Sequence, residues 1–224
     1  MRIFIYDWGS WGQTSKELNR MTKLRVAVLM GGKSPEHEVS LATGAEVIKN
    51  LNKKKYQIFP IVLSRKQTFS SQIIDCRPDV VFIAMHGPFG EDGTIQGMLE
   101  LAGIPYTGAG VLASALGMDK PMFRKIMTAE GIPIPECVEI SSKIKFPVVV
   151  KPSSQGSSVG VSIVRAKKDL PAALKEAFKF GPRVIIEKYL PGMEVTCGVL
   201  GNENPIALPV VEILPRKEFF DYSS

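Results

Sequence analysis

An apolar, β-branched run ends in Lys151 and passes at once into a loop dense in glycine and serine, the whole of residues 146–160 reading FPVVVKPSSQGSSVG. A buried strand that carries a lysine to its end places an ammonium where an anion can meet it. The loop 152–160 then supplies backbone N–H groups and hydroxyls that can fold over phosphate oxygens. Taken alone, the segment also reads as an ordinary surface hairpin loop.

Two further loops carry candidate chemistry. LRVAVLMGG, from residue 24, reads as a buried strand running into a glycine turn, and the loop after it holds Glu36. DVVFIAM, residues 79–85, is a second such strand and ends at His86-Gly87. In open α/β sheets, ligands sit beyond the carboxyl ends of the strands, so Glu36 and His86 are placed to share one cleft. Two tempting motifs fail. Gly32-Lys33-Ser34 would need a glycine where Ala27 stands to be a P-loop. His37-Glu38 lacks the second histidine of a zinc-binding HExxH, and two histidines in the whole chain exclude a histidine-rich metal site.

These residues need a frame, and the alternation of elements supplies one. A helix is expected over 39–51, a strand at Tyr56–Leu63, a helix over 93–102 and an extended segment at 105–108. Short apolar strands separated by helices predict a doubly wound α/β unit with a mostly parallel sheet. Near Met118-Asp119-Lys120 the composition changes. A helix holding Met122, Phe123, Ile126 and Met127 ends at Gly131, and after the Lys151 strand come a strand at Ser162–Val164 and a helix to about residue 180. Asp169 is expected to cap that helix, with Pro171 in its first turn. Strands over 183–187 and 194–201 complete a second, smaller α+β unit, and a further apolar strand begins at 207. The division is therefore 1–22, with both tryptophans (Trp8 and Trp11) and no periodicity; 23–118; 119–206; and 207–224. Met21 reads as a natural start, with the residues before it an upstream extension.

Composition narrows the function classes. The 224 residues carry a formal charge of +6, which suits an anionic ligand. The lysines scatter, however, and the run Lys53–Lys55 reads as a solvated turn, so no nucleic-acid surface is expected. No segment reaches the ~18 apolar residues of a membrane span, and the N-terminus is no secretory signal. The cytoplasm is the default compartment. Cys76, Cys137 and Cys197 lie far apart without a CxxC, and read as ordinary thiols.

Taken in order, VAVLMGGKSPEHEVSL, VFIAMHGPFGEDGTIQGMLELAGIPYTGAG, ALGMDK, VVVKPSSQGSSVGVS, IIEKYLPGMEVTCGVL and the terminal FFDY resemble the D-alanine–D-alanine ligases of the ATP-grasp superfamily. The long HGPFGEDGTIQGMLE segment is the specific one; VKPSSQGSSVG alone says only ATP-grasp. The resemblance implies a substrate-binding α/β domain, a central ATP-grasp domain and the start of a C-terminal domain. It implies ATP, Mg²⁺ and D-alanine as ligands, an acyl-phosphate route to the dipeptide of peptidoglycan, and a homodimer.

Carried over residue by residue, the resemblance makes Glu36 the partner of the first D-alanine's ammonium and His86 a neighbour of its carboxylate. Ser157 is the serine hydrogen-bonded to that glutamate, and Ser158 a phosphate-loop serine. Lys120 and Lys151 reach the nucleotide phosphates. Glu187, Lys188, Tyr189 and Leu190 hold adenine through the backbone, Glu194 holds the ribose, and Phe219 flanks the base. The bland alternatives are a helix-dipole partner for Glu36, a strand-end histidine for His86, and surface charge for Lys120. The family's magnesium ligands are expected beyond Ser224, so these 224 residues are not expected to bind the metal or turn over alone. Another carboxylate–amine ligase of the superfamily, or a nucleotide-binding product without catalysis, remains the alternative.

Overall fold

The computed structural model describes residues 23–140 and 143–214; residues 1–22 and Phe219 lie outside them. The first lobe is built on β1 (Leu24–Gly31), flanked in parallel by β2 (Tyr56–Leu63) and β3 (Val80–Ile83) in the order β2-β1-β3. Side chains alternate across a strand, and β1 is apolar on both faces. Ala27 and Leu29 enter one core with Leu63, Ile73, Val81, Ile95 and Leu99. Val26, Val28 and Met30 enter the other, against Leu41, Val47 and Ile48. Helix α1 (His37–Asn50) therefore covers one face, while the short α2 (Gln72–Asp75) and α3 (Thr94–Leu101) cover the opposite one. This is the doubly wound arrangement expected, and such coverage is what a parallel sheet requires. The extended segment at 105–108 joins the sheet beside Val81.

Helix α1 starts two residues before its expected position. Two helices are additional to those expected: α2, with four residues too short to display a period, and α4 (Val111–Met118), which has no side-chain cap at Gly110. Asp119 separates α4 from α5 (Lys120–Ala129). It caps α5 by accepting from the Met122 N–H at 3.0 Å, and its other oxygen meets Arg183 at 2.5 Å. That backbone N–H, against the upward pull of burial and with help from Arg183, holds the Asp119 carboxyl below the usual range.

The second lobe is an antiparallel sheet, β5 (Ser162–Val164), β4 (Val148–Pro152) and β6 (Val184–Lys188) in that order, extended beyond β6 by a bridge from Cys137. One face carries Val148, Val150, Val164 and Ile186 onto α6 (Leu170–Ala177). Asp169 stands at the head of α6 but makes no capping bond. The 3₁₀ turn Lys167–Asp169 already holds it in helical geometry, whereas a capping residue needs extended backbone.

The strands expected at 194–201 and from 207 each break in two. β7 (Glu194–Thr196) pairs with β10 (Val211–Ile213), and β8 (Val199–Leu200) with β9 (Ile206–Ala207). Pro209, between β9 and β10, has no N–H for the ladder, which accounts for the second break.

Candidate functional site

β4 fixes the site's first cation. Its buried positions Val148 and Val150 face α6, so the pleat turns Lys151 to the opposite face, which Arg124 of α5 also reaches. In the register Val149 stands opposite Glu187 and Lys151 opposite Ile185, which makes Lys151 and Glu187 diagonal neighbours on one face. Their side chains form an ion pair. Arg124 of α5 meets the other Glu187 oxygen at 2.5 Å and donates a second nitrogen to the Pro135 carbonyl. Arg124 was absent from the sequence-derived site. The available signal was its spacing of four from Lys120, which puts both on one face of α5.

Lys120 donates its ammonium to the Gln155 carbonyl, and its own N–H donates to the Ser153 carbonyl at 3.0 Å. Burial, and then the charge of Lys151, push its pKa down to about 8. The loop after β4 thus rests on the first turn of α5. Within it Ser157 and Ser158 adopt left-handed backbone, φ 43° and 55°, a conformation that L residues avoid and that turns successive N–H groups toward one concave side. Gly160, at φ 70°, lies where a side chain would strike Phe180 and Pro152.

The first lobe meets this loop with two acids and a histidine. Glu36 occupies the N-cap position of α1, where the helix dipole can act on it, and makes no side-chain capping bond. It is fully buried, and neither carboxylate oxygen has a hydrogen-bond partner. Glycines from both lobes close on it: a methyl at Gly87 would stand 2.3 Å from Glu36 Oε2, and one at Gly156 would stand 3.2 Å away. The expected hydrogen bond from Ser157 to Glu36 is not formed. Ser157 is exposed on the crest of its loop, and the backbone of Gly156 takes the place beside the carboxylate.

His86 lies between Thr43 Oγ1, 2.8 Å from Nε2, and Glu91, 3.7 Å from Nδ1. Interaction with Glu91 raises the His86 pKa against the opposite pull of burial, and the Glu36 charge adds to the rise. Burial pushes the Glu91 carboxyl up, but His86 and the Gly87 N–H, which donates at 2.7 Å, outweigh it and leave it below its ordinary value. His86, Glu91, Lys120, Gln155 and Gly156 line one cleft of about 500 Å³. His86 and Lys120, far apart in the chain, line the same cleft, and Glu36 lies behind it against Gly87 and Gly156.

The remaining residues are more dispersed. Lys188 and Tyr189 line a second cleft of about 600 Å³ with Phe146, Pro147 and Cys137. Their N–H groups are already donated, to the Glu136 carbonyl at 2.9 Å and the Pro147 carbonyl at 3.3 Å. Leu190 is exposed, and Glu194 sits on the exposed β7, in neither cleft. Among the described residues no group of three or more His, Cys, Asp or Glu side chains is gathered to hold a metal ion, and no helix is long and apolar enough to cross a membrane.

A family model described as the D-ala D-ala ligase C-terminus matches residues 112–224, and the corresponding N-terminus model matches residues 25–77 and 68–109. The chain is 41% identical over 218 residues to a D-alanine–D-alanine ligase of Carboxydothermus hydrogenoformans, covering 90% of this chain and 69% of that one. It is 43% identical over 211 residues to that of Bacillus anthracis, covering 90% and 68%. Among solved structures, the Bacillus anthracis ligase complexed with ATP superposes with a TM-score of 0.72 at 39% identity, over 88% of this chain and 68% of that one. The VanG D-Ala:D-Ser ligase of Enterococcus faecalis gives 0.75 at 34% identity, over 90% and 73%.

Proposed function

Because the chain belongs to the D-alanine–D-alanine ligase family, we propose that it holds ATP and D-alanine in the cleft between its lobes for the ATP-dependent joining of two D-alanine molecules. The observation that carries this is Glu36: a buried carboxylate with both oxygens unpartnered, beside a cleft. A buried charge without partners is costly, and the ammonium of an amino acid relieves that cost. Residues 23–118 form the substrate lobe in this reading, 119–206 the nucleotide lobe, and 207–224 the start of a further domain.

The roles follow from position. Lys120 and Lys151 hold phosphate oxygens as point charges, and the loop bearing Ser157 and Ser158 directs N–H groups at the same oxygens. His86, whose protonated form Glu91 favours, is assigned to the D-alanine carboxylate. Bound ATP supplies the phosphoryl group that activates one D-alanine carboxylate as an acyl phosphate, which the amine of the second D-alanine attacks. The chain's part is positioning and electrostatic stabilisation. Lys188, Tyr189 and Leu190 are assigned to the adenine end, Glu187 to that strand, Glu194 to the ribose and Phe219 to the base.

The cationic cradle fits a nucleotide. The described residues offer no ligand cluster for magnesium, so no step here runs through a metal they hold, and Mg²⁺ is assigned to residues outside them. A cytoplasmic homodimer completes the reading, since ATP is a cytoplasmic reactant. A second reading is nucleotide binding without turnover.

Titration with ATP and an assay of phosphate release test both. Ligation predicts ATP binding and phosphate release that depends on D-alanine and disappears in Lys151→Ala. Binding with no D-alanine-dependent release supports the second reading, and no ATP binding by the purified chain contradicts both.

A further inference from the structure

Neither Arg124 nor the side chain of Glu187 has a part in the roles above, yet together with Lys151 they form the most enclosed ionic group among the described residues, where α5 meets β4 and β6. The Glu187 side chain is 5% exposed; its Oε1 meets Arg124 at 2.5 Å and its Oε2 meets Lys151. Lys151 is the more open of the two cations, 23% exposed against 13% for Arg124. Arg124 is anchored a second time, on the Pro135 carbonyl. One cation is thus fixed by two acceptors and the other is held by the carboxylate. Lys120, one turn before Arg124 on the same helix, brings a further positive charge close enough to act on Lys151.

This asymmetry matters when a polyphosphate arrives. An ammonium that turns to phosphate oxygens leaves Glu187, and a buried carboxylate stripped of every cation is strongly unfavourable. With Arg124 in place the carboxylate keeps one charged partner, and Lys151 is free to move. We propose that Arg124 is a positioning residue that keeps Glu187 charge-balanced while the Lys151 ammonium passes from Glu187 to the phosphates of the nucleotide. The inference rests on the reading that this cleft takes a nucleotide, and adds to it an exchange of partners within the Arg124–Glu187–Lys151 group.

The exchange gives Arg124→Met and Glu187→Gln opposite consequences. Without Arg124, Lys151 is retained by Glu187, and ATP affinity falls by about ten- to a hundredfold. Without the Glu187 charge nothing retains Lys151, so Glu187→Gln binds ATP at least as tightly as the parent. The double variant then returns to within about threefold of Glu187→Gln alone, because there is no carboxylate left to balance. Arg124→Lys, which keeps the charge but cannot span Glu187 and Pro135 together, lies between the parent and Arg124→Met.

The test is ATP titration by calorimetry on the parent and the four variants, with a thermal melt of each in the absence of nucleotide. The expected result is a strong Arg124 effect on ATP affinity that vanishes in the Glu187→Gln background. An Arg124 effect of equal size in both backgrounds, or none in either, overturns the exchange. If Arg124→Met does not fold, Arg124→Lys in the two backgrounds carries the same comparison. A parent that binds no ATP overturns the nucleotide reading and this inference with it; a parent that binds, with additive variants, overturns the inference alone.

Discussion

The two lobes put their chemistry in different places. In the first, the central strand β1 is buried on both faces, and its candidate residues Glu36 and His86 stand on loops beyond the strand ends. In the second, α6 covers one face of the sheet with apolar side chains, and the other face carries the charged pair Lys151 and Glu187, met by Arg124 of α5. A parallel sheet needs both faces covered, so it can offer a ligand only its ends; an antiparallel sheet can leave one face for charge. The cleft arises where the strand ends of the first lobe meet α4, Lys120 at the head of α5 and the loop after β4.

Truncations on the two sheets test that contrast most strongly. Leu29→Ala, in a fully buried position of β1, should destabilise the chain by about 2–5 kcal/mol. Val149→Ala, half-buried on the face of β4 that bears Lys151, should cost about 1 kcal/mol or less. Chemical denaturation of both variants checks this, and equal losses would mean that the second sheet is as enclosed as the first.

A smaller effect sharpens the electrostatic side. Lys120 is depressed to about 8 from 10.5 in the folded chain. Between those values the unfolded state binds more protons, so this residue makes stability rise with pH across that window and exacts its full cost below it. ATP binding calls for the charged form, so affinity should be constant below pH 8 and weaken above it, by up to about tenfold per unit. Lys120→Met should flatten both slopes. Titrations and melts at several pH values read them, and an unchanged slope in the variant would assign the effect to another group.

The parallel sheet was legible because β1 and β2 are apolar runs bounded by turn residues, and the positions of β2 and β5 agree with expectation residue for residue. Helix α4 escaped because it has a glycine for a cap and runs into α5 with one residue between them. Asp169 shows the limit of a local signal, since a preceding 3₁₀ turn decides whether a side chain can cap. At the site, the sequence offered Glu36 and His86 as neighbours because their loops both leave strand ends, whereas Lys120, the first residue of α5, was offered only by resemblance. The Arg124–Glu187–Lys151 group could not, because it depends on which residues of β6 and α5 face β4. The Ser157–Glu36 hydrogen bond was expected from resemblance and fails on the backbone of one loop, whose crest carries the serine outward.

The central claim is that the buried, unpartnered carboxylate of Glu36 awaits the ammonium of D-alanine. Glu36→Gln keeps the shape and removes the charge, and loss of a charged hydrogen bond costs ~1.5–3 kcal/mol. The decisive measurement is D-alanine titration of the ATP-saturated chain, parent against Glu36→Gln, with ATP affinity measured alongside. D-alanine binding should weaken by roughly ten- to a hundredfold while ATP affinity stays within about twofold. Unchanged D-alanine binding with weakened ATP affinity would contradict the assignment.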